Sequence, residues 1–170
     1  MKHASRHPSQ RVGIFIDVQN LYHSAKNVYR GRVNYRELIK HLLDGRQLIR
    51  AVAYVVKSDT AAGEASFFEA LEGAGLELRT KDLQIYADGT KKADWDVGMA
   101  VDAIRMAPFL DVVVLVTGDG DFIPLVDYLK WGAGRLVEVA AFDRSTSAKL
   151  KEAADNFVGI ESIPRSIIKK

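Results

Sequence analysis

Four short apolar runs constrain the fold of this chain more than any other feature. They are largely continuous and do not alternate with polar residues, which is typical of strands covered on both faces, as in a parallel sheet. The runs are VGIFID (residues 12–17), LIRAVAYVV (48–56), VVVLV (112–116) and LVEVAA (136–141). Residues 76–81 and 157–163 are weaker strand candidates. The pattern predicts a sheet of buried, mainly parallel strands.

Helical patterns separate these runs. Asn34, with Glu37 three residues later, predicts a helix start with a capping box. Ser58 or Asp59 is expected to cap a second helix, and Asp94 a third that stops at Pro108. Strands alternating with helices predict an α/β fold with a doubly wound sheet in three α/β/α layers.

The charges divide the chain into a body and two basic ends. The 24 Lys and Arg residues against 22 Asp and Glu give a net charge of only +2, but the first eleven and the last six residues carry three bases each and no acid. Residues 12–164 therefore have a net charge of −4. We predict one domain over residues 11–163, between basic flexible tails at 1–10 and 164–170.

The composition excludes several classes of protein. With no cysteine and four histidines, the chain cannot form disulfides, thiolate zinc sites or a cysteine nucleophile. No stretch approaches the roughly 18 consecutive apolar residues of a membrane span, and the polar start lacks the apolar run of a signal peptide. We expect a cytoplasmic protein without a membrane partner.

The positions of the aspartates carry the functional information. Asp17 ends the first run, Asp119 and Asp121 follow the third, and Asp94 and Asp96 precede a helix that follows a strand. The carboxyl ends of parallel strands lie on one edge of the sheet, so these five carboxylates are expected to converge there with the amide of Asn20. Any one of them alone is typical of a turn or a helix cap, and the GDGD sequence fits a tight turn entering a helix. Their agreement on one edge favours a site.

Clustered carboxylates repel one another, and a divalent cation offsets that repulsion. Oxygen ligands without Cys or an obvious His favour hard ions, so we expect one or two Mg²⁺ or Mn²⁺ ions. Mg²⁺ held by few carboxylates commonly binds phosphate as well, which favours phosphoryl chemistry with an activated water.

Three blocks resemble the NYN domain family, in particular its LabA-like branch within the PIN-like nuclease superfamily. They are IFIDVQNLY (residues 14–22), KADWDVGMAVDAIRMA (92–107) and VLVTGDGDFIPLVDYLKWG (114–132), and SAKLKEAADNF (147–157) is similar to the closing segment of the family. The resemblance implies a PIN-like α/β/α sandwich with strand order 3-2-1-4-5, a Mg²⁺ or Mn²⁺ cluster and RNA cleavage.

The resemblance also implies roles for individual residues. The proposed catalytic, metal-binding acids are Asp17, Asp96, Asp119 and Asp121, and Asp94 is an additional metal-binding acid of the LabA-like branch. Asn20, Thr117 and Asp102 are expected to support them, although Asp102 lies about 9 Å farther along its helix than Asp96 and some 120° around it, which favours an indirect or surface role.

Basic side chains near the same edge are candidates for holding phosphates. They are Lys57, Lys91, Lys92, Arg144 and Lys149. Each of them also fits an ordinary solvated loop residue. Tyr22 is a candidate for stacking on a base, whereas Trp95 is expected to pack against the sheet.

Three functions compete for this site. The leading hypothesis is a metal-dependent endoribonuclease acting on single-stranded RNA; the second is an RNA-binding or regulatory LabA-like module with weak or no turnover. A haloacid-dehalogenase-like phosphatase would need a general acid two residues after Asp17, where the chain has Gln19. A homodimer remains possible, but no periodicity identifies its interface.

Overall fold

The computed structural model describes residues 4–58 and 63–169, within which lie ten strands and six α-helices. The strands are β1 (Arg11–Asp17), β2 (Gly31–Val33), β3 (Gln47–Lys57), β4 (Glu77–Asp82), β5 (Gln84–Ile85), β6 (Lys91–Lys92), β7 (Val112–Val116), β8 (Leu136–Ala141), β9 (Asn156–Gly159) and β10 (Ile167–Lys169). The helices are α1 (Val18–Tyr29), α2 (Tyr35–Leu43), α3 (Glu64–Gly73), α4 (Asp96–Met106), α5 (Ile123–Asp127) and α6 (Ala148–Ala153).

Six strands form one sheet in the order β4-β3-β1-β7-β8-β9, with every neighbouring pair parallel. All four apolar runs form strands of this sheet, and the five residues of β7 are all buried. Numbered in chain order, the sheet reads 3-2-1-4-5-6, so the predicted order 3-2-1-4-5 is correct for five strands and omits the sixth. That strand, β9, has four residues of mixed burial, which is why its sequence predicts a strand only weakly.

Helices cover both faces of the sheet, as predicted. On one face, Leu21 of α1 and Leu38 of α2 pack in a core with Ile14 of β1. On the other face, Met99 of α4 packs in a second core with Phe15 of β1. Because successive side chains of a strand point to opposite faces, β1 contributes to both cores. The three-layer α/β/α class is confirmed.

The helix starts agree with the predicted caps in part. The Asn34 side chain accepts a hydrogen bond from the Glu37 backbone N–H at 3.3 Å, which confirms the predicted start of α2. The second bond of a capping box is replaced, because the Asn34 backbone N–H donates to the Ser166 carbonyl oxygen at 2.7 Å. Helix α3 begins at Glu64, six residues beyond Ser58, and its N-cap is Gly63, so the predicted cap at Ser58 is wrong. The alternative cap, Asp59, lies outside the described residues.

The described residues of the two predicted tails, 1–10 and 164–170, contact the rest of the domain. Arg6 donates to the Glu138 carboxylate at 2.9 Å, and the Ala4 backbone N–H donates to the Asn156 side chain at 2.7 Å. At the other end, β10 pairs with β2 in an antiparallel ladder. The buried Glu138 carboxylate thus holds the N-terminal end, and pairing with β2 holds the C-terminal end. The positive charge of the two ends does not by itself indicate these contacts. Residues 1–3 and 170 lie outside the described residues.

A buried ion pair ties the turn before β3 to β8. Arg46 donates to both carboxylate oxygens of Glu138, at 2.8 and 3.0 Å, and the two residues are only 4% and 2% exposed. Arg46 also donates to the carbonyl oxygens of Leu42 and Leu43. No helix within the described residues is long and apolar enough to cross a lipid bilayer.

Candidate metal centre

Asp17 lies where β1 ends and α1 begins. Its carboxylate accepts a hydrogen bond from the Asn20 backbone N–H at 3.2 Å, which caps α1. Its other oxygen accepts from the hydroxyl of Thr117, the residue after β7, at 3.1 Å. Because β1 and β7 are neighbouring parallel strands, their carboxyl ends meet at one edge. The Asp17 carboxylate is therefore fixed from both strands.

The loop after β7 is held by side chains placed around it. The Asn20 side-chain oxygen accepts from the Gly118 backbone N–H at 3.0 Å, so this amide links the end of β1 to the loop. A Cβ on Gly118 would lie 2.9 Å from the Ser145 carbonyl oxygen. Only glycine lets the loop after β8 approach this closely, because a side chain would push the two loops apart.

Three carboxylates come together at this edge. Asp119 accepts from the Asp121 backbone N–H at 2.9 Å, and Asp94 accepts from the Asp96 backbone N–H at 3.2 Å at the start of α4. Asp96, Asp119 and Asp121 each offer one oxygen, and these oxygens all lie within 4.8 Å of one another. Two turns with backbone hydrogen bonds thus hold the three acids in place.

Asp17 and Asp94 face the same cavity without belonging to that group of three. The cavity has a volume of about 420 Å³, and Asp17, Asp94, Asp96 and Asp119 all line it. Asp94 is exposed, whereas Asp17 is partly buried. The five aspartates predicted to converge therefore lie at one edge. Among them, Asp96, Asp119 and Asp121 have carboxylate oxygens close enough together to hold one ion.

The carboxylates are electrostatically strained. Burial raises the pKa of Asp17, although the hydrogen bonds from Asn20 and Thr117 oppose this, and the charges of Asp119 and Asp94 add to it. Burial and the charges of the four neighbouring aspartates raise the pKa of Asp96 to about 6. Repulsion of this kind is what a bound cation relieves. A set of carboxylate oxygens without sulfur or nitrogen fits a hard divalent ion such as Mg²⁺ or Mn²⁺.

The pKa of Asp96 makes a prediction for the metal-free protein. An aspartate has a pKa of about 3.9 in an unfolded chain, whereas that of Asp96 is about 6 in the folded protein. The folded state therefore binds the proton more tightly, and the free energy of unfolding falls as the pH rises from the lower value to the higher one. In EDTA at pH 8, Asp96→Asn is therefore expected to melt about 2–4 °C above the wild type. For a chain of this size this corresponds to a gain of about 1 kcal/mol in the free energy of unfolding, a figure that allows for the partial exposure of Asp96 to solvent. Thermal melts followed by circular dichroism measure this.

The pH dependence is the control for that experiment. Near pH 4 the Asp96 carboxyl is protonated in the folded protein, so the difference in melting temperature between variant and wild type is expected to disappear. A gain that is as large at pH 4 as at pH 8 would mean that the substitution acts through packing and not through charge.

Comparison with known proteins places this arrangement in a family. The model of the NYN domain family matches residues 11–161. The chain belongs to the NYN domain family. NYN domains are members of the PIN-like nuclease superfamily, as the sequence blocks predict. The carboxyl-edge acids therefore lie in a domain type generally associated with nucleases.

Two individual proteins are similar to this NYN domain over nearly its whole length. The low amplitude and bright protein LabA of Synechococcus elongatus is 27% identical over 171 residues, covering 94% of this chain and 88% of LabA. A crystal structure of VPA0982 from Vibrio parahaemolyticus, a protein of unknown function, is 33% identical and superposes with a TM-score of 0.87, covering 97% of this chain and all of that one.

The predicted phosphate-binding side chains of the NYN domain are all exposed. Lys91 and Lys92 form β6, directly before the Asp94 turn, and Lys57 ends β3. Arg144 and Lys149 lie in the segment after β8. An additional cation, Lys81, donates to the Asp94 carbonyl oxygen at 3.0 Å.

The remaining candidates separate into an exposed and a structural group. Tyr22 on α1 is 47% exposed. Trp95 packs on the sheet, as predicted: its indole N–H donates to the Val55 carbonyl oxygen at 3.0 Å. Asp102 accepts from the Tyr54 hydroxyl at 2.8 Å and pairs with Arg79, so it braces α4 against β3 and β4 and does not line the acidic cavity.

Sequence reasoning missed four residues that line the acidic cavity: Gln19, His23, Ser24 and Ser145. The first three lie in the first turns of α1, directly after Asp17. Their closeness to Asp17 in sequence could have suggested them. Ser145 lies 128 residues from Asp17, and its hydroxyl donates to the Ser24 hydroxyl at 2.9 Å. Only the close approach of two loops brings it there, and no local pattern encodes that approach.

Proposed function

We propose that this NYN domain is an endoribonuclease that depends on Mg²⁺ or Mn²⁺ and hydrolyses phosphodiester bonds of single-stranded RNA. The observation that carries the proposal is the group of Asp96, Asp119 and Asp121 oxygens within 4.8 Å of one another, beside the partly buried Asp17. One or two ions are expected there, held by these acids with Asp94 at the margin. When bound, the cation supplies Lewis-acid chemistry: it makes a water more acidic and offsets charge developing on the phosphate.

The chain's own residues would position both reactants. Asn20 and Thr117 fix the Asp17 carboxylate and the loop that carries Asp119, so the acids need little rearrangement when a ligand arrives. We expect the exposed lysines of β6 and the cations after β8 to hold the phosphates on either side of the cut. A single strand is favoured because its backbone can bend to bring one phosphate into a recessed cavity.

Incubation with a mixed panel of RNA and DNA tests this function. Single-stranded RNA is expected to be cut in Mn²⁺ or Mg²⁺ and to stay intact in EDTA, with 5′-phosphate and 3′-hydroxyl ends on the products. RNA affinity is expected to fall as salt is raised, because phosphate contacts release counterions.

Other outcomes of the same panel select another function. RNA that is bound but uncut in Mn²⁺ at high protein concentration would support an RNA-binding regulatory module and contradict the nuclease. Cleavage that continues unchanged in EDTA would rule out the carboxylate site.

A further inference from the structure

An aromatic cleft adjoins the acidic cavity and is not used by the acids. It lies between α1, the end of β3 and α3, and has a volume of about 350 Å³. Its apolar walls are formed by Val18, Tyr22, Val55, Phe67, Phe68 and Leu83. This volume is at the small end of ligand-binding cavities and fits one flat ring system better than a peptide or a lipid chain.

The two cavities share part of their lining. Gln19 and His23 line both the aromatic cleft and the acidic cavity, so a group in the cleft lies beside the acids. Both side chains are exposed and carry hydrogen-bonding groups, which suits the polar edge of a ring whose faces contact apolar walls.

The charged groups near the cleft differ in sign: Glu64 lines it and accepts a hydrogen bond from the Ser58 backbone N–H at 3.0 Å, whereas a cation lies outside the lining, beside Tyr22. The Lys26 ammonium lies 5.8 Å from the centre of the Tyr22 ring, on the exposed side of α1. A nucleotide has the required combination: an aromatic base for the cleft and a phosphate that Lys26 attracts. Aromatic side chains beside basic ones are a common means of binding single-stranded nucleic acid.

We propose that this cleft binds one nucleobase of the RNA strand, next to the phosphate that enters the acidic cavity. The inference rests on the proposed function for the identity of the strand. Tyr22 and Phe67 provide the apolar contact surface, and Gln19 meets the edge of the base. The cleft then fixes where the strand is cut relative to that base.

Direct binding tests the cleft without requiring cleavage. The protein is Asp17→Asn, which keeps the group Asp96, Asp119 and Asp121, in Mn²⁺ with a fluorescently labelled single-stranded RNA of about ten nucleotides. One abasic nucleotide is moved along the strand, and affinity is measured by fluorescence anisotropy. Base stacking contributes about 1–3 kcal/mol, so the abasic site is expected to weaken binding by about 10-fold at one position.

The cleft variants identify where that base binds. Adding Tyr22→Ala or Phe67→Leu is expected to weaken binding of intact RNA by about 10-fold, and the abasic site should then have no further effect at the sensitive position. The matched control is Phe109→Ala, an aromatic that is 60% exposed near the start of β7, at the opposite edge of the sheet. It is expected to leave affinity unchanged, and circular dichroism checks that each variant is folded.

The outcomes separate this inference from the proposed function. Three results would each overturn the nucleobase site. The first is an equal loss of affinity in the cleft variants and in Phe109→Ala, the second is an abasic effect that persists fully in Tyr22→Ala, and the third is the absence of RNA binding. If the coupling is present but the wild type does not cut RNA, the nucleobase site stands and the nuclease fails. If RNA is cut without any coupling, the nuclease stands and the nucleobase site fails.

Discussion

Asp119→Asn is expected to lower the rate of Mn²⁺-dependent RNA cleavage by at least about 100-fold. Changes to groups that only support a metal ligand reduce affinity or activity by about 10–100-fold, and Asp119 is itself in the group of three carboxylates. The asparagine oxygen can still accept from the Asp121 backbone N–H, so the turn and the fold are retained. Single-turnover cleavage of labelled RNA measures the loss.

Two further variants make this experiment specific. Asp17→Asn is expected to lower cleavage to a similar extent, because the Asp17 carboxylate lines the same cavity. The asparagine oxygen can still accept from the Asn20 backbone N–H, and its NH2 group can donate to the Thr117 hydroxyl oxygen, which keeps the local structure. Asp127→Asn, at the exposed end of α5, is the matched control and is expected to cleave at the wild-type rate. Wild-type activity in both Asp17→Asn and Asp119→Asn would show that the reaction occurs elsewhere.

Arg46→Ala is expected to reduce the free energy of unfolding by about 3–5 kcal/mol. Among the described residues, the substitution leaves Arg6 as the one ionic partner of the buried Glu138 carboxylate. Removing one partner of a buried pair has an effect of this size. The carbonyl oxygen of Leu42 also loses its guanidinium donor, whereas that of Leu43 still accepts from the backbone N–H of residue 46. Urea unfolding followed by circular dichroism measures the change.

A paired replacement distinguishes charge burial from packing. The double variant Arg46→Met with Glu138→Leu removes both charges and keeps apolar volume, so its stability is expected to lie much closer to that of the wild type. A double variant as unstable as Arg46→Ala would show that the backbone contacts of Arg46 dominate. An unchanged Arg46→Ala protein would contradict the account of the ion pair.

The central fold follows from local patterns in the sequence. A run such as VVVLV in β7 can be satisfied only by burial on both faces, and that requirement indicates the parallel sheet and its helical layers. The acidic edge follows from the same logic, because Asp17 is the last residue of β1 and Asp119 lies three residues after the end of β7.

Features that depend on distant contacts could not be predicted. The ends of the chain read as basic tails because nothing local indicates that Arg6 meets Glu138 or that β10 pairs with β2. Asp102 lies in the same sequence block as Asp96, yet its partners Tyr54 and Arg79 come from β3 and β4. The aromatic cleft likewise joins Tyr22 to Phe67 across 45 residues of sequence.

Isothermal titration of Mn²⁺ into the wild type and the Asp119→Asn protein tests the proposed metal centre directly. We expect one or two ions per wild-type chain, with affinity that rises from pH 5 to pH 7 as Asp96, whose pKa is raised to about 6, loses its proton. Asp119→Asn should lose most of this affinity. Equal Mn²⁺ binding by both proteins, or no binding by the wild type, would contradict a metal centre at this edge of the sheet.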